Sequence, residues 1–337
     1  NTGYLESITE DEGTVYEQVT EYQKYDSNGN PGKIIEAVGK PEQRETTYTY
    51  DSRYHNKVAA ITEASVDSGR DKVTIFQYDD FGNNTSITIE GFEPGGAPVS
   101  RTTTFTYDGP FHQLTQIDGP RTDVNDIYTI SYYADDTAQG DNRSRMKRVS
   151  APLGITLYDN ITYTPTGKIN TYIDASNVQS TMSYYYGNDR LQFLSQLDLN
   201  TGEKRLTEWT YLATGEVKTI TTGDDVADKT TLTFNYDDAR RLTGLVDGRG
   251  NAIEYILDSE GNVEQENIRV VGGELKKQLT QTFDVYNRLQ LRTQVNESYT
   301  ETWSANGTLD RTVNGKNVTT DYSYDNLRRL TPVSYTH

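Results

Sequence analysis

Tyr78-Asp79-Asp80-Phe81-Gly82-Asn83 decides the fold, because the chain repeats this phrase with variations along nearly its whole length. Tyr25-Asp26-Ser27-Asn28-Gly29-Asn30 is a second full copy. Weaker copies begin at Tyr50, Tyr107, Tyr132, Tyr163, Tyr186, Tyr211, Tyr236, Leu257, Phe283, Trp303 and Tyr324. These thirteen starting residues, here called anchors, recur about every 25 residues, a period typical of stacked or coiled repeat proteins. The sequence therefore predicts a single array of repeats over residues 1–331.

Each repeat is predicted to be a β-hairpin. The residues before an anchor alternate in polarity and are rich in Thr and aromatic side chains, which suit a half-buried strand. Four to six turn-forming residues are expected next, and within them a two-residue hairpin turn in which Gly29 or Gly82 supplies the positive φ. The Asp after the anchor is expected to accept hydrogen bonds from turn amides. We interpret the following residues as structural repeat anchors: Tyr25, Asp26, Tyr50, Asp51, Tyr78, Asp79, Tyr107, Asp108, Tyr163, Tyr211, Tyr236, Asp237, Tyr324 and Asp325.

Seven repeats carry a second aromatic residue two positions before the anchor, as at Phe76/Tyr78 and Tyr184/Tyr186. Residues i and i+2 of a strand point to the same face, so both rings of a repeat should lie on one side of the sheet. We expect these rings to form a ladder of cross-strand aromatic contacts in the packing layer between repeats. The predicted fold is therefore all-β, with repeated antiparallel hairpins forming a continuous coiled sheet.

Several segments do not follow the regular spacing of the hairpins. Residues 134–152 and 91–100 are rich in turn formers and are predicted to be loops or inserts. Residues 226–233 are the best helix candidate. Residues 332–337 do not continue the repeat and are expected to be a non-native tail, and the start at Asn1 suggests a piece of a longer protein.

Composition narrows the classes of function. Twenty-six Tyr, eight Phe and two Trp argue against disorder, although the mean hydropathy is −0.78. The formal charge of −18 would repel phosphate backbones, so we expect no nucleic-acid binding. No apolar run approaches the roughly 20 residues that a membrane helix needs, so we expect no membrane insertion by this segment.

No catalytic, cofactor or metal site is expected. The chain has no Cys and only His55, His112 and His337, which leaves no basis for a triad or a zinc site. Adjacent acids such as Asp79/Asp80 are interpreted as solvated turn residues and not as a glycosidase pair. No segment satisfies the EF-hand pattern. We therefore expect the chain not to be an enzyme.

The repeat resembles the YD repeat of the Rhs family. Residues 78–87 and 25–34 meet the pattern Tyr-Asp-x-x-Gly-Asn-x-x-x-Ile in full, and residues 118–126 are similar to a phrase of bacterial Rhs proteins. The resemblance covers about residues 4–331. It implies a β-strip wound into a hollow shell or barrel, as in the B and C components of ABC-type toxin complexes and in teneurins. Bacterial members usually end the shell with an Asp-Pro motif and a self-cleaving Asp; this sequence has no Asp-Pro dipeptide, so neither self-cleavage nor a toxin is assigned to it.

The resemblance also implies a function. The chain would be a shell-wall segment of a secreted or cell-surface bacterial protein that encapsulates a C-terminal toxin or effector polypeptide. Its partners would be that enclosed polypeptide and flanking shell segments of the same protein, and self-assembly through open sheet ends stays open. The alternative is a surface adhesin or fibre whose aromatic-rich sheet binds glycans or a partner cell. A third hypothesis is a polysaccharide-cleaving enzyme with paired carboxylates.

Overall fold

A computed structural model of the 337-residue chain describes residues 3–10, 12–13, 17–65, 69–93, 95–223, 228–295, 297–304, 307–324, 329–331 and 334–336. Contacts divide the chain into two units, the first covering residues 1–162 and the second most of residues 163–337. Both units consist of antiparallel strands. The helices among the described residues are two short 3-10 helices, Thr137–Asn142 and Pro152–Gly154. The prediction of an all-β fold is confirmed.

In the first unit each strand pairs antiparallel with the next one along the chain. The strands are β1 (Ser7–Glu10), β2 (Gln18–Gln23), β3 (Lys33–Glu36), β4 (Arg44–Tyr50), β5 (Val58–Glu63), β6 (Lys72–Tyr78), β7 (Asn84–Phe92), β8 (Pro98–Tyr107), β9 (Leu114–Asp118), β10 (Tyr128–Tyr132), β11 (Met146–Ser150) and β12 (Thr156–Tyr163). Sequential pairing of this kind is a meander of hairpins, as the repeat predicts.

The second unit continues the same pattern of pairing between consecutive strands. Its strands are β13 (Ile169–Asp174), β14 (Val178–Tyr184), β15 (Leu191–Asp198), β16 (Lys204–Tyr211), β17 (Val217–Thr222), β18 (Thr230–Tyr236), β19 (Leu242–Val246), β20 (Ala252–Leu257), β21 (Val263–Arg269), β22 (Leu275–Phe283), β23 (Leu289–Gln294), β24 (Glu297–Trp303), β25 (Leu309–Val313), β26 (Thr319–Asp321) and β27 (Ser334–Thr336).

The structure corrects three local predictions. Residues 230–233 of the helix candidate belong to β18, because a run of β-branched residues favours a strand, while residues 226 and 227 lie outside the described residues. The predicted loop over residues 91–100 is shorter, since β7 extends to Phe92 and β8 begins at Pro98. The predicted insert over residues 134–152 contains a strand, β11, as well as a 3-10 helix.

Very little of either sheet is buried. Among the described residues the buried apolar side chains are Ile35, Ala37 and Ile161. Most other strand residues are half-buried, as expected for a single layer of sheet whose faces are not covered within its own unit. Stability must therefore come from contacts between neighbouring strands and turns, and not from a thick core.

Candidate functional surface

Most anchors lie at strand ends, and the polar tips of nine aromatic residues at these positions bind the preceding repeat. Tyr78 Oη donates to Val58 O at 2.8 Å, and Val58 is the residue paired with the preceding anchor, Tyr50. Tyr236 Oη donates in the same way to Val217 O at 2.9 Å, opposite Tyr211. The further bonds of this kind run from Tyr25 to Leu5, Tyr50 to Pro31, Tyr132 to Leu114, Tyr184 to Ile169, Tyr211 to Leu191, Trp303 to Leu289 and Tyr324 to Leu309. Each bond fixes a strand to the end of the hairpin before it.

Burial further disfavours the ionised form of several anchor hydroxyls, and the protonated form is the one that donates a hydrogen bond. Desolvation raises the pKa of the phenols of Tyr50, Tyr78, Tyr107, Tyr211 and Tyr236 above 10.0. The anchors Tyr107 and Tyr163 also occupy the last positions of their strands.

One anchor was assigned to the wrong tyrosine. Tyr184 ends β14, pairs with Leu191 and donates to Ile169 O at 2.7 Å. Tyr186 is fully exposed at 106%. The anchor of this repeat is therefore Tyr184, two residues before the position that the sequence spacing indicated.

Asp79 closes the turn after its anchor. Its Oδ1 accepts from the backbone N–H groups of Phe81 and Asn83 at 2.9 and 2.8 Å, and its Oδ2 accepts from the Asn83 side-chain amide at 3.0 Å. The Asp79 N–H donates to Asn83 O at 3.0 Å, and the Gly82 N–H donates to Asp79 O at 3.1 Å. These bonds enclose a loop of three residues, 80–82, and the last of them, Gly82, has φ 81°. The predicted two-residue turn is therefore wrong, and the loop is a three-residue type that ends in a left-handed residue.

Other aspartates accept turn amides in a similar way. Asp26, Asp51, Asp237, Asp258 and Asp284 follow predicted anchors, whereas Asp174 and Asp247 do not. Asp108 does not join them, because its loop is one residue longer and Gly109 N–H pairs with Gln113 O instead. Asp108 accepts from the Thr115 hydroxyl. Asp325 lies outside the described residues.

Successive turns also bind each other, which the sequence analysis missed. Arg53 Nη1 donates to Asp80 Oδ1 at 2.7 Å, and Tyr54 Oη donates to Asp79 O at 3.1 Å. Lys57 Nζ donates to Gly82 O and lies 5.1 Å from the centre of the Tyr54 ring. Similar bonds run from Asn30 to His55, Arg241 to Asp258, Asn262 to Asn287 and Arg288 to Ser304. The row of turns is thus a second line of contacts beside the strand ladder.

In the repeats anchored at Tyr50, Tyr78, Tyr107, Tyr211 and Tyr236, the second aromatic residue is paired across the strands with an aliphatic residue and not with another ring. Tyr48 is paired with Ile61, and Phe76 is paired with Ile87. The predicted aromatic ladder is wrong, because a returning strand separates the rings of consecutive repeats by two strand spacings, about 10 Å. The side of the first sheet that carries Tyr22, Ile34, Tyr48, Ile61, Phe76, Ile87, Phe105 and Ile117 is here called the ring face.

The contacts between rings that do occur involve turn residues. Examples are Tyr54 with Tyr78 at 6.4 Å, Tyr185 with Tyr211 at 5.9 Å, Tyr4 with Tyr25 at 4.7 Å and Phe81 with His112 at 3.7 Å between ring centres. These contacts therefore strengthen the row of turns.

Acid is expected to unfold both units, because the turn carboxylates must be ionised to act as full acceptors. The Asn30 side-chain amide lowers the pKa of Asp26, and backbone amides of Tyr54 and Arg241 lower those of Asp51 and Asp237 below 3.8. The unfolded chain then binds more protons than the folded one. The stabilisation from these carboxylates is complete above pH 3.8 and is lost as the pH falls through the lower folded-state values.

Urea unfolding followed by circular dichroism at pH 7, 5, 3 and 2 measures this loss. The midpoint should change little from pH 7 to 5 and fall steeply below pH 4. Asp51→Asn is the control, because an amide oxygen already closes the turn at Asn314 by accepting from Lys316 and Val318. This variant should reduce the pH dependence. A midpoint that stays constant down to pH 2 would contradict the role of these carboxylates.

His55 and His112 lie in the connections between strands. Within the part of the chain that the structure describes, no group of three or more His, Asp or Glu side chains is placed to hold a metal ion. His112 stacks on Phe81, and His55 O accepts from Asn30 in a turn. Within the same described part, no helix is long and apolar enough to cross a membrane.

Comparison with known proteins identifies the fold. No family model matches the sequence, and no curated protein matches it. A TcdB2-TccC3 structure without its hypervariable C-terminal region matches 94% of this chain at 14% identity, with a TM-score of 0.60. A TcdB2-TccC3-Cdc42 structure matches 98% of the chain at 12% identity with a TM-score of 0.55, and the Photorhabdus luminescens Tc holotoxin pore matches 91% at 11% identity with a TM-score of 0.51.

The chain shares its fold with Tc toxin complex proteins. It spans about a fifth of the length of these solved chains, with shares of 21%, 18% and 20%. At such low identity the likeness extends to the arrangement of strands and not to activity.

Proposed function

We propose that this chain is a wall segment of a shell of the YD-repeat type and that the shell encloses a polypeptide. The observation that carries the proposal is the meander of hairpins in each unit, in which most anchors bind the preceding repeat. Such a sheet extends by adding repeats and leaves few unpaired strand edges along its length. The similarity of fold to Tc toxin complex proteins supports the same role.

In this proposal the chain acts as a barrier and not as a catalyst. Its partners are an enclosed toxin or effector and the neighbouring wall segments of the same protein. We propose a secreted or cell-surface location, which the similarity of fold to Tc toxin complex proteins supports.

Protease protection tests the proposal. The coding sequence is extended in both directions to its natural start and stop codons, and the purified product is digested with proteinase K. We expect the polypeptide downstream of the repeats to survive, while the same polypeptide expressed alone is degraded. Equal rates of degradation in the two samples would contradict enclosure.

Adhesion is the second candidate, and two exposed rings favour it. Tyr186 and Tyr286, at 106% and 74% exposure, stand on turns where a sugar ring could stack. Glycan-array binding that Tyr186→Ala and Tyr286→Ala abolish would favour adhesion. Unchanged binding in both variants, or no binding by the parent chain, would exclude these tyrosines as glycan platforms.

A further inference from the structure

The turn that Asp26 closes contains an Asn-Gly dipeptide at the tip of its loop. Asn28 is exposed, and of the hydrogen bonds that lower the pKa of Asp26 the one from the Asn28 side chain contributes least. Gly29 follows at φ 85°. The Gly29 N–H donates to Asp26 O at 3.2 Å, which is longer than the 2.9 Å bond from Asp26 N–H to Asn30 O that also closes the loop. An exposed side-chain amide therefore precedes a glycine N–H that a single long bond holds.

A second Asn-Gly dipeptide, Asn314-Gly315, has different surroundings. Asn314 holds the first position of its turn, and its Oδ1 accepts from the backbone N–H groups of Lys316 and Val318 at 2.9 and 3.0 Å. Both bonds must break before the side chain can rotate toward the Gly315 nitrogen. The chain thus carries the same dipeptide once with a loosely held amide and once with a firmly held one.

Asparagine is a thermally labile residue, and a following glycine has no Cβ to hinder ring closure. The Gly29 nitrogen, after losing its proton to hydroxide, attacks Cγ of Asn28, and the bond from Cγ to Nδ2 breaks. Ammonia leaves with a proton from water, and a cyclic succinimide remains. Water then opens the ring at one of its two carbonyl groups, which gives aspartate or isoaspartate at position 28. The only co-reactants are water and hydroxide.

We propose that Asn28 is a site of spontaneous deamidation and that isoaspartate at this position loosens the contact between its turn and the next one. This inference does not depend on whether the chain encloses a guest. Reaction at Asn28 is favoured over reaction at Asn314, because fewer and longer hydrogen bonds oppose ring closure there.

The consequence for the turn follows from its contacts. Isoaspartate carries the backbone through the former side chain, so it adds a methylene to the loop between Asp26 and Asn30. The Asn30 side-chain amide donates to Asp26 Oδ2 at 2.9 Å and to His55 O, in the next turn, at 2.6 Å. A longer loop displaces Asn30 from both acceptors, and the new carboxylate repels Asp26. The bond between the two turns is therefore lost.

Peptide mapping of aged protein tests the proposal. The whole chain is kept in mildly alkaline buffer at physiological temperature, and trypsin then releases the two dipeptides in separate peptides, residues 25–33 and 312–316. Mass spectrometry follows the conversion of amide to carboxyl in each, and an isoaspartate-specific methyltransferase labels the product. The same incubation in guanidinium chloride gives the two rates without folded structure.

We expect Asn28 to react about tenfold faster than Asn314 in the folded chain and at a similar rate in denaturant, because the difference comes from hydrogen bonds of the fold. Asn28→Gln is the control, since glutamine closes the corresponding ring far more slowly. Hydrogen exchange of β3 and β4 should become faster in the aged parent chain and stay unchanged in the aged Asn28→Gln variant.

Three results would overturn the site: equal rates in the folded chain, faster reaction at Asn314, or no isoaspartate at position 28. Isoaspartate at position 28 with unchanged hydrogen exchange in β3 and β4 would overturn its effect on the contact between turns.

Discussion

Replacing Tyr184 with Ala should lower the free energy of unfolding of the second unit by about 2–3 kcal/mol, whereas Tyr186→Ala should change it by less than about 0.5 kcal/mol. Tyr184 is half-buried at the end of β14 and donates to Ile169 O at 2.7 Å. Its loss removes ring contacts and leaves a backbone carbonyl without its partner. Tyr186 has 106% exposure, so its ring has no contacts of comparable extent to lose.

Urea unfolding followed by circular dichroism measures both variants, and hydrogen exchange of β14 and β15 localises the effect. Tyr184→Phe separates the two contributions, because it keeps the ring and removes the hydroxyl; we expect a loss of about 1 kcal/mol. If Tyr186→Ala destabilised the unit more than Tyr184→Ala, the anchor would be Tyr186, as the repeat spacing indicated.

This pair of tyrosines shows what a repeat period can and cannot predict. The period located the hairpins and the residue type that ends their strands, as at Tyr78 and Tyr236. Residues 184–186 are three consecutive tyrosines, so the spacing alone allowed more than one anchor. The choice depends on which ring reaches the carbonyl of the preceding repeat, and that depends on strand register.

The turn chemistry was largely predictable because it is local. All parts of the turn lie within five positions. Asp79 supplies the acceptor, Gly82 the left-handed residue and Asn83 the donor. The prediction that Asp108 accepts turn amides is wrong, because its loop has one additional residue. Gly109 therefore takes the position that Asp79 holds in its own turn. The repeat pattern allows variable spacing, so it cannot detect an insertion of one residue.

The contacts between repeats were not predictable from the pattern. Arg53 reaches Asp80 and Tyr54 reaches Asp79, across 27 and 25 residues of chain. No short motif encodes such bonds, since they require the two turns to stand side by side. The predicted aromatic ladder is wrong for the same reason: the second ring recurs in seven repeats, but the returning strand places isoleucines between such rings, as at Tyr48 and Phe76.

Replacing Gly82 with Val should also destabilise the chain strongly, by about 2–3 kcal/mol. Gly82 has φ 81°, a conformation that a β-branched residue rarely adopts. A Cβ at this position would lie 2.9 Å from Lys57 Nζ and 3.5 Å from the Tyr54 ring. The substitution therefore strains its own turn and displaces the side chains by which the preceding turn holds it. Unfolding in urea measures the loss, and hydrogen exchange should show faster opening of β6 and β7.

Gly91→Val is the matched control, because it makes the same chemical change in the same strand pair. Gly91 lies within β7, its φ is not positive, and a Cβ there would meet no atom within 4 Å. Valine suits a strand better than glycine, so this variant should be neutral or more stable by up to about 1 kcal/mol. If both variants were destabilised equally, the added side-chain volume would be the cause. The left-handed turn and its contact with Lys57 would then not be the link between one repeat and the next.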